Sequence, residues 1–164
     1  MTAVQPALQT QVGGSLDAAA GLVGGAFGAF VTTLVVGAIL VAVAPEYLER
    51  MMADVREEPV GSFVYGLVCL LLVLLVTVVL VITVIGVLFA IPFALVAVLV
   101  WAVGAAIAYL VIAEQLVSRE DGWGKPLLVA AALNGALALT GVGGLVSFCV
   151  GAAGFGAVLR DRLD

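Results

Sequence analysis

The residues that could do chemistry in this chain are few, and none of them form a catalytic pattern. The sequence has no histidine, and its two cysteines, Cys69 and Cys149, lie in separate apolar runs. Because neither cysteine has a histidine or a second cysteine near it in the sequence, no metal site or disulfide framework is expected. Gly141–Gly144 is only a weak match to a phosphate loop, because no strand or lysine accompanies it. We therefore predict no enzyme activity, no metal and no cofactor.

Polar side chains inside the apolar runs are the next candidates. No ionisable residue lies in the middle of a run, whereas transporters and proton relays usually keep one there. Glu114 is the nearest case, and it lies at the edge of its run. Backbone carbonyls or a neighbouring helix can satisfy the remaining hydroxyls and the single amide, so we predict that they serve packing. These residues are Thr32, Thr33, Thr77, Thr83, Asn134, Thr140 and Ser147.

The composition predicts a membrane protein. Of the 164 residues, 65% are hydrophobic and 10% are charged, whereas globular proteins are nearer half apolar and a quarter charged. Residues 1–17 read as a short polar tail, and residues 18–164 as a single multi-span membrane domain. The net charge of −5 argues against nucleic acid as a partner. Few lysines and an acidic balance suggest a source with high internal salt.

The longest apolar stretch, Pro59–Ala113, contains no charged residue. In one helix it would span roughly 80 Å, far more than a hydrocarbon core of about 30 Å. It must therefore cross, turn and return as a long helical hairpin. Thr83, Gly86 and Pro92 are predicted to break the helix, with the Thr83 hydroxyl bonded to backbone groups freed there.

The first span is predicted over Gly21–Ala44. Its glycines recur at intervals of four, as Gly21 with Gly25 and as Gly24 with Gly28. This spacing lets two helix backbones approach closely. We predict a packing face there, within the monomer or between copies.

A short amphipathic helix is predicted between Pro45 and Pro59. Its apolar residues recur at helical spacing on one side, and charged residues occupy the other. We interpret it as an interfacial connector with its apolar face on lipid, and a docking surface is the alternative. Trp123, in the second polar loop, is expected at the headgroups. The interfacial residues are Leu48, Met51, Met52, Val55 and Trp123.

The last apolar run, Leu127–Leu159, is too long for one crossing and is interrupted by Gly141, Gly143 and Gly144. Glycines are poor helix residues, so two short helices are predicted, although one long helix stays open. The second would carry a stripe of small residues for packing. The stripe comprises Gly144, Ser147, Gly151 and Gly154.

The distribution of basic residues separates these alternatives. Only the second hairpin brings all six lysine and arginine residues to one side of the membrane, as the positive-inside rule favours. Loops 45–60 and 117–126 would then be cytoplasmic in a plasma-membrane protein. The fold class predicted is an all-α integral membrane protein with four or five membrane helices.

The order of these features resembles the membrane module of the polymer-forming, bactofilin-associated proteins of bacteria and haloarchaea. The features are a glycine-rich span ending at Pro45, a charged segment closing at Glu58-Pro59, a run from Gly61 to Gly86, and a last helix ending in Arg160-Asp-Arg162. Pro92 lies six residues after Gly86, further than in many bacterial versions, and the chain has no β-helical domain. The resemblance implies a membrane protein that tethers or organises something at the envelope.

The function predicted from the sequence is a non-enzymatic scaffold or anchor that acts through helix packing in the lipid bilayer. Its expected partners are copies of itself or another membrane or cytoskeletal protein. The alternative is a small channel or carrier, whose pathway between broken helices would use Thr83, Asn134 and Thr140.

Overall fold

The computed structural model describes residues 4–83, 86–120, 122–140 and 142–163, with side chains between residues 17 and 160. This part of the chain is entirely helical and contains no strand. The helices are α1 (Val4–Val43), α2 (Pro45–Glu57), α3 (Pro59–Ile82), α4 (Gly86–Leu116), α5 (Gly124–Ala138) and α6 (Gly143–Leu163). Helix α1 thus begins inside the segment expected to be a polar tail.

Four of the helices are long and apolar enough to cross a membrane. They are Asp17–Val43 within α1, Pro59–Ile82, Gly86–Leu116, and Gly143–Arg160 within α6. Helix α5 is shorter, with 15 residues, or roughly 22 Å. The coarse prediction of an all-helical chain with four or five apolar helices is confirmed.

The helices form two consecutive hairpins, α3–α4 and α5–α6, beside α1. Helix α3 packs most extensively on α6, and α1 on α5, while α6 also has a large contact with α4. Arg160, near the end of α6, bonds Glu58 at the start of α3 (2.6 Å). This bond brings the C-terminal end of α6 back to the start of α3. The C-terminal apolar run is therefore a hairpin, as the charge distribution predicted.

We call the end of the bundle that holds α2, Glu114 and Arg160 the charged end. The core is concentrated there, formed by α2, residues 107–113 of α4, Leu127 and Ala130 of α5, and residues 157–158 of α6. Toward the opposite end the helices are mostly exposed, as at Leu71 (68%) and Leu88 (73%). The molecule is thus packed tightly at one end and open along its apolar helices at the other.

The two hairpin turns share the sequence pattern Leu-x-x-Thr-x-x-Gly. At the first turn, Thr83 Oγ1 donates to the Leu80 carbonyl (3.0 Å) and accepts from the Gly86 N–H (3.1 Å). A Cβ on Gly86 would overlap that carbonyl. The predicted bonding of the Thr83 hydroxyl to backbone is confirmed, and it satisfies an N–H that the first turn of α4 leaves unpaired.

The second turn repeats two parts of this arrangement, the bond from the hydroxyl to the carbonyl and the close glycine. Thr140 Oγ1 donates to the Leu137 carbonyl (2.8 Å), and a Cβ on Gly143 would overlap that carbonyl. Gly143 and Gly144 lie in the first turn of α6, and Gly141 is outside the described residues. In both hairpins a threonine hydroxyl bonds the carbonyl three residues before it at the end of one helix. The N–H of the glycine that begins the next helix bonds the hydroxyl of Thr83 in the first turn and the backbone carbonyl of Thr140 in the second.

Pro92 does not break the helix, which corrects the sequence prediction. It lies inside α4, six residues after the helix begins at Gly86. Helix α4 begins at Gly86, where the Thr83 hydroxyl caps it, and not at the proline. The missing Pro92 N–H then costs one bond, to the Leu88 carbonyl, which the rest of a long apolar helix tolerates.

We expect Thr83→Val to lower the free energy of unfolding by about 1 kcal/mol, the typical value of a helix cap. Thr77→Val is the matched control. The Thr77 hydroxyl bonds only the Val73 carbonyl of its own helix (2.7 Å), so its loss should cost less than about 0.5 kcal/mol. Unfolding in mixed micelles, followed by circular dichroism, measures both. Equal losses would show that Thr83 is not a cap.

Candidate functional site

The apolar face of α2 is buried inside the protein. Leu48 and Met51 are fully buried, and Met52 and Val55 nearly so. They belong to one cluster with Leu110 of α4 and further residues of α5 and α6. The prediction that this face lies on lipid is wrong, because α2 folds over the ends of α4 and α6. This face packs against the chain's own helices.

An ion-pair network joins the charged side of α2 to α4 and the loop that follows it. Glu114, near the end of α4, accepts from Arg56 of α2 and from Arg119 (3.1 Å), and Arg119 also pairs with Glu49 of α2. The Glu114 side chain is only 10% exposed. A nearly buried carboxylate with two guanidinium partners keeps its charge compensated. Helix α2 is therefore held on both sides, by the core cluster on its apolar side and by this network on its charged side.

Trp123 extends the network toward α5. The Arg119 guanidinium lies over its ring, 3.5 Å from the ring centre, a distance at which cation–π attraction is strong. Trp123 is partly buried and packs against the core cluster. It immediately precedes α5, so Arg119 connects α2, α4 and the start of α5 through one side chain.

A cleft with a volume of about 200 Å³ opens beside this network. Its lining residues are Glu49, Met52, Ala53, Arg56, Glu114 and Arg119. Two carboxylates and two guanidinium groups balance one another and are already paired. Among the described residues, no group of three or more His, Cys, Asp or Glu side chains could hold a metal ion. The charged side chains of this cleft thus neutralise one another, and their ion pairs hold α2 and α4 together.

Glycine contacts join the helices below the charged end. Gly104 of α4 meets the backbone of Gly154 in α6, and Gly66 of α3 meets the backbone of α6 at Ala152 and Gly156. A Cβ on Gly151 would reach the Trp101 ring. Gly151 and Gly154, two of the predicted packing residues, lie at such contacts.

The other predicted packing glycines face open space in the part of the chain that the structure describes. A Cβ on any of them would meet nothing within 4 Å. They are Gly21, Gly25 and Gly28 of α1, together with Gly24 beside them and Gly144 of α6. Sequence reasoning overlooked Gly66 and Gly156, although Ser62 and Ala152 lie four residues before them at the same small-residue spacing.

Polar side chains in the apolar helices bond to one another. Asn134 Nδ2 donates to Thr33 Oγ1 (2.7 Å) and lies 3.4 Å from the Ala29 carbonyl, joining α5 to α1. Ser147 accepts from the Tyr109 hydroxyl (2.8 Å). No buried side-chain nitrogen or oxygen in the described part of the chain lacks a hydrogen-bond partner. These groups therefore hold helices in register.

The fold and its charged end define a class: an all-helical protein with four helices long and apolar enough to cross a membrane, closed at one end by ion pairs. The chain belongs to the family described as Domain of unknown function (DUF8173), which matches residues 1–164. No curated protein and no solved structure matches it.

Proposed function

We propose that this chain is a multi-pass integral membrane protein that acts, without catalysis, as a structural or anchoring component. The observation that carries the proposal is the exposed surface of α3, where Leu71, Leu75 and Ile82 are each more than half exposed. A soluble protein rarely exposes apolar patches larger than a few hundred Å². Lipid would cover this surface at no cost, since acyl chains are as apolar as the side chains.

The charged end is proposed to face the cytoplasm of a plasma-membrane protein. Arg56, Arg119 and Arg160 lie together there, and basic residues accumulate on the cytoplasmic side. Loops 45–60 and 117–126 are then cytoplasmic. The resemblance to bactofilin-associated membrane modules supports a partner on this side, such as a cytoskeletal protein.

Cysteine labelling tests this topology. In a chain with Cys69→Ser and Cys149→Ser, Ser118→Cys and Asp161→Cys should react with an impermeant maleimide only from the cytoplasmic side. Asp17→Cys, at the start of the apolar part of α1, should react only from outside, because α1 ends at the charged end. Reaction of all three from one side, or of Ser118→Cys and Asp161→Cys from opposite sides, would contradict the topology.

Self-association through α1 is the second part of the proposal. The face formed by Gly21, Gly24, Gly25 and Gly28 has open space around it, whereas the glycines Gly66 and Gly104 touch another helix. Two interleaved small-residue motifs suit close approach by the same face of another copy. Such a face is suited to a homo-oligomer, in which the α1 helices of two copies pack against each other through the same residues.

We expect Gly25→Leu to shift the protein from oligomer to monomer while its helix content stays unchanged. The leucine would separate the two backbones, whereas a Cβ at this position meets nothing within 4 Å in the described part of its own chain. Gly144→Leu is the control, since Gly144 is equally open but belongs to α6. Light scattering coupled to size exclusion in mild detergent measures the mass. An unchanged mass for Gly25→Leu would remove α1 as the interface.

The alternative of a small channel or carrier has less support. Its three candidate polar residues, Thr83, Asn134 and Thr140, all have protein hydrogen-bond partners. A conducting pathway needs polar groups that face water. Solute flux into liposomes that contain the purified protein would restore this alternative.

A further inference from the structure

The contacts between α3 and α6 define an antiparallel register. Glu58 pairs with Arg160 (2.6 Å), Ser62 lies against Gly156, and Gly66 lies against Ala152. Each step of four residues along α3 is matched by four residues back along α6. The two helices therefore stay in register over two successive turns.

Continued by one turn, the same register places the two cysteines of the chain at facing positions. Cys69 lies three residues after Gly66, and Cys149 three residues before Ala152. A helical face recurs at intervals of three and four residues. Cys69 thus continues the stripe of Ser62 and Gly66, and Cys149 continues the facing stripe of α6. The register therefore assigns two residues 80 positions apart in the sequence to one seam.

The glycines make this seam unusually close. A Cβ on Gly66 would overlap the Ala152 carbonyl, and one on Gly156 would overlap the Ser62 carbonyl. Helices in backbone contact bring facing Cα atoms near the separation of about 4.4–6.8 Å that a disulfide requires. Both thiols are free, with Cys69 half-buried and Cys149 exposed. Cys149 is thus accessible from the outside of the bundle.

We propose that Cys69 and Cys149 form a reversible disulfide between α3 and α6, with a membrane-soluble quinone as the oxidant. One S–S bond forms and two S–H bonds break, and the two electrons and two protons convert the quinone to the quinol. The choice of oxidant rests on the proposed membrane location. Cys69 lies eleven residues beyond Glu58, roughly 16 Å along α3, at a depth that lipid-soluble molecules reach.

The disulfide would regulate how tightly the open end of the bundle closes. Beyond Gly66, helix α3 has no fully buried residue among those described, so it is held there by weak contacts. A covalent bond at Cys69 fixes α3 on α6 one turn further from the charged end. In the reduced protein α3 is joined to α6 beyond Gly66 by non-covalent contacts alone.

The experiment uses the full chain in liposomes, reduced and then treated with decylubiquinone. After the free thiols are blocked with N-ethylmaleimide, the intact mass should fall by two hydrogen atoms, with no maleimide attached. Cys69→Ser and Cys149→Ser should each keep one blocked thiol. A water-soluble sulfonated quinone should oxidise the pair more slowly, by about tenfold, because access limits thiol oxidation.

A register control separates facing thiols from thiols that are merely mobile. The variant with Cys149→Ser and Val150→Cys moves the thiol about 100° around α6, and it should oxidise much more slowly at equal helix content. Absence of a disulfide in the natural chain, equal oxidation of the register control, or a bond between two chains would each overturn the proposal. Equal rates with both quinones would overturn the lipid-phase oxidant. Topology labelling at residues 118 and 161 is independent of these outcomes, so failure here leaves the membrane proposal separately testable.

Discussion

Gly104→Ala is expected to lower the free energy of unfolding by about 3 kcal/mol, the upper range for overpacking a close contact. The added Cβ would lie 2.7 Å from the Phe155 Cα and closer still to the carbonyl carbon of Gly154. The obstacle is backbone, which cannot rotate away as a flexible side chain can. Helices α4 and α6 would have to separate, which also disturbs the Trp101 contact with Phe155 (5.9 Å between rings).

Gly144→Ala provides the control with the opposite sign. A Cβ there meets nothing within 4 Å, and alanine is favoured over glycine in a helix by about 0.5–1 kcal/mol. Unfolding in mixed micelles measures the free energy of unfolding of both variants and of the natural chain. A loss for Gly104→Ala no larger than about 0.5 kcal/mol would mean that the helices adjust freely, against the close packing of protein interiors.

These two glycines also show which helix contacts could be predicted from the sequence. The spacing of small residues identifies helix faces that can approach another helix, and two residues that it marked, Gly151 and Gly154, lie against α4. It says nothing about which faces find a partner in the same chain. Gly144 lies in the same helix as those two residues and stays open, while Gly66 and Gly104 touch α6. That choice depends on the tertiary arrangement of α3, α4 and α6.

Local signals predicted the helix ends better than the partners of the helices. The break after Ile82 follows from the chemistry of Thr83 and Gly86, and the same Leu-x-x-Thr-x-x-Gly pattern recurs at residues 137–143. Pro92 misled because a proline near the start of a long apolar helix removes only one bond. The apolar face of α2 was recognised from its period, but its contact with α4 rather than lipid depends on the whole bundle.

The ion pairs were the least predictable feature, because their partners are far apart in the sequence. Arg56 and Glu114 are separated by 58 positions, and Arg119 and Glu49 by 70. Composition indicated only that charge collects in three short segments. The fold brings these segments to one end, and pairing follows because each unpaired charge beside a buried core is costly.

We expect Glu114→Gln to lower the free energy of unfolding by about 2 kcal/mol, within the range for a hydrogen bond to a charged group. Its carboxylate is only 10% exposed and bonds both Arg56 and Arg119. Removing its charge leaves two guanidinium groups side by side with only Glu49 to balance them. The cost is kept below the roughly 3–5 kcal/mol typical of fully buried pairs, because the arginines are 43% and 36% exposed.

Glu58→Gln is the matched control at the same end of the bundle. Its pair with Arg160 is far more exposed, at 61% and 45%, so its loss should cost less than about 0.5 kcal/mol and vanish in high salt. The Glu114 effect should persist in high salt, because ions screen a nearly buried pair much less. The double variant Glu114→Gln, Arg119→Gln should lose less free energy of unfolding than the two single variants combined, since each single change removes the same bond. Equal, salt-sensitive losses at Glu58 and Glu114 would show that the network at α2 is an ordinary surface interaction and does not hold the charged end together.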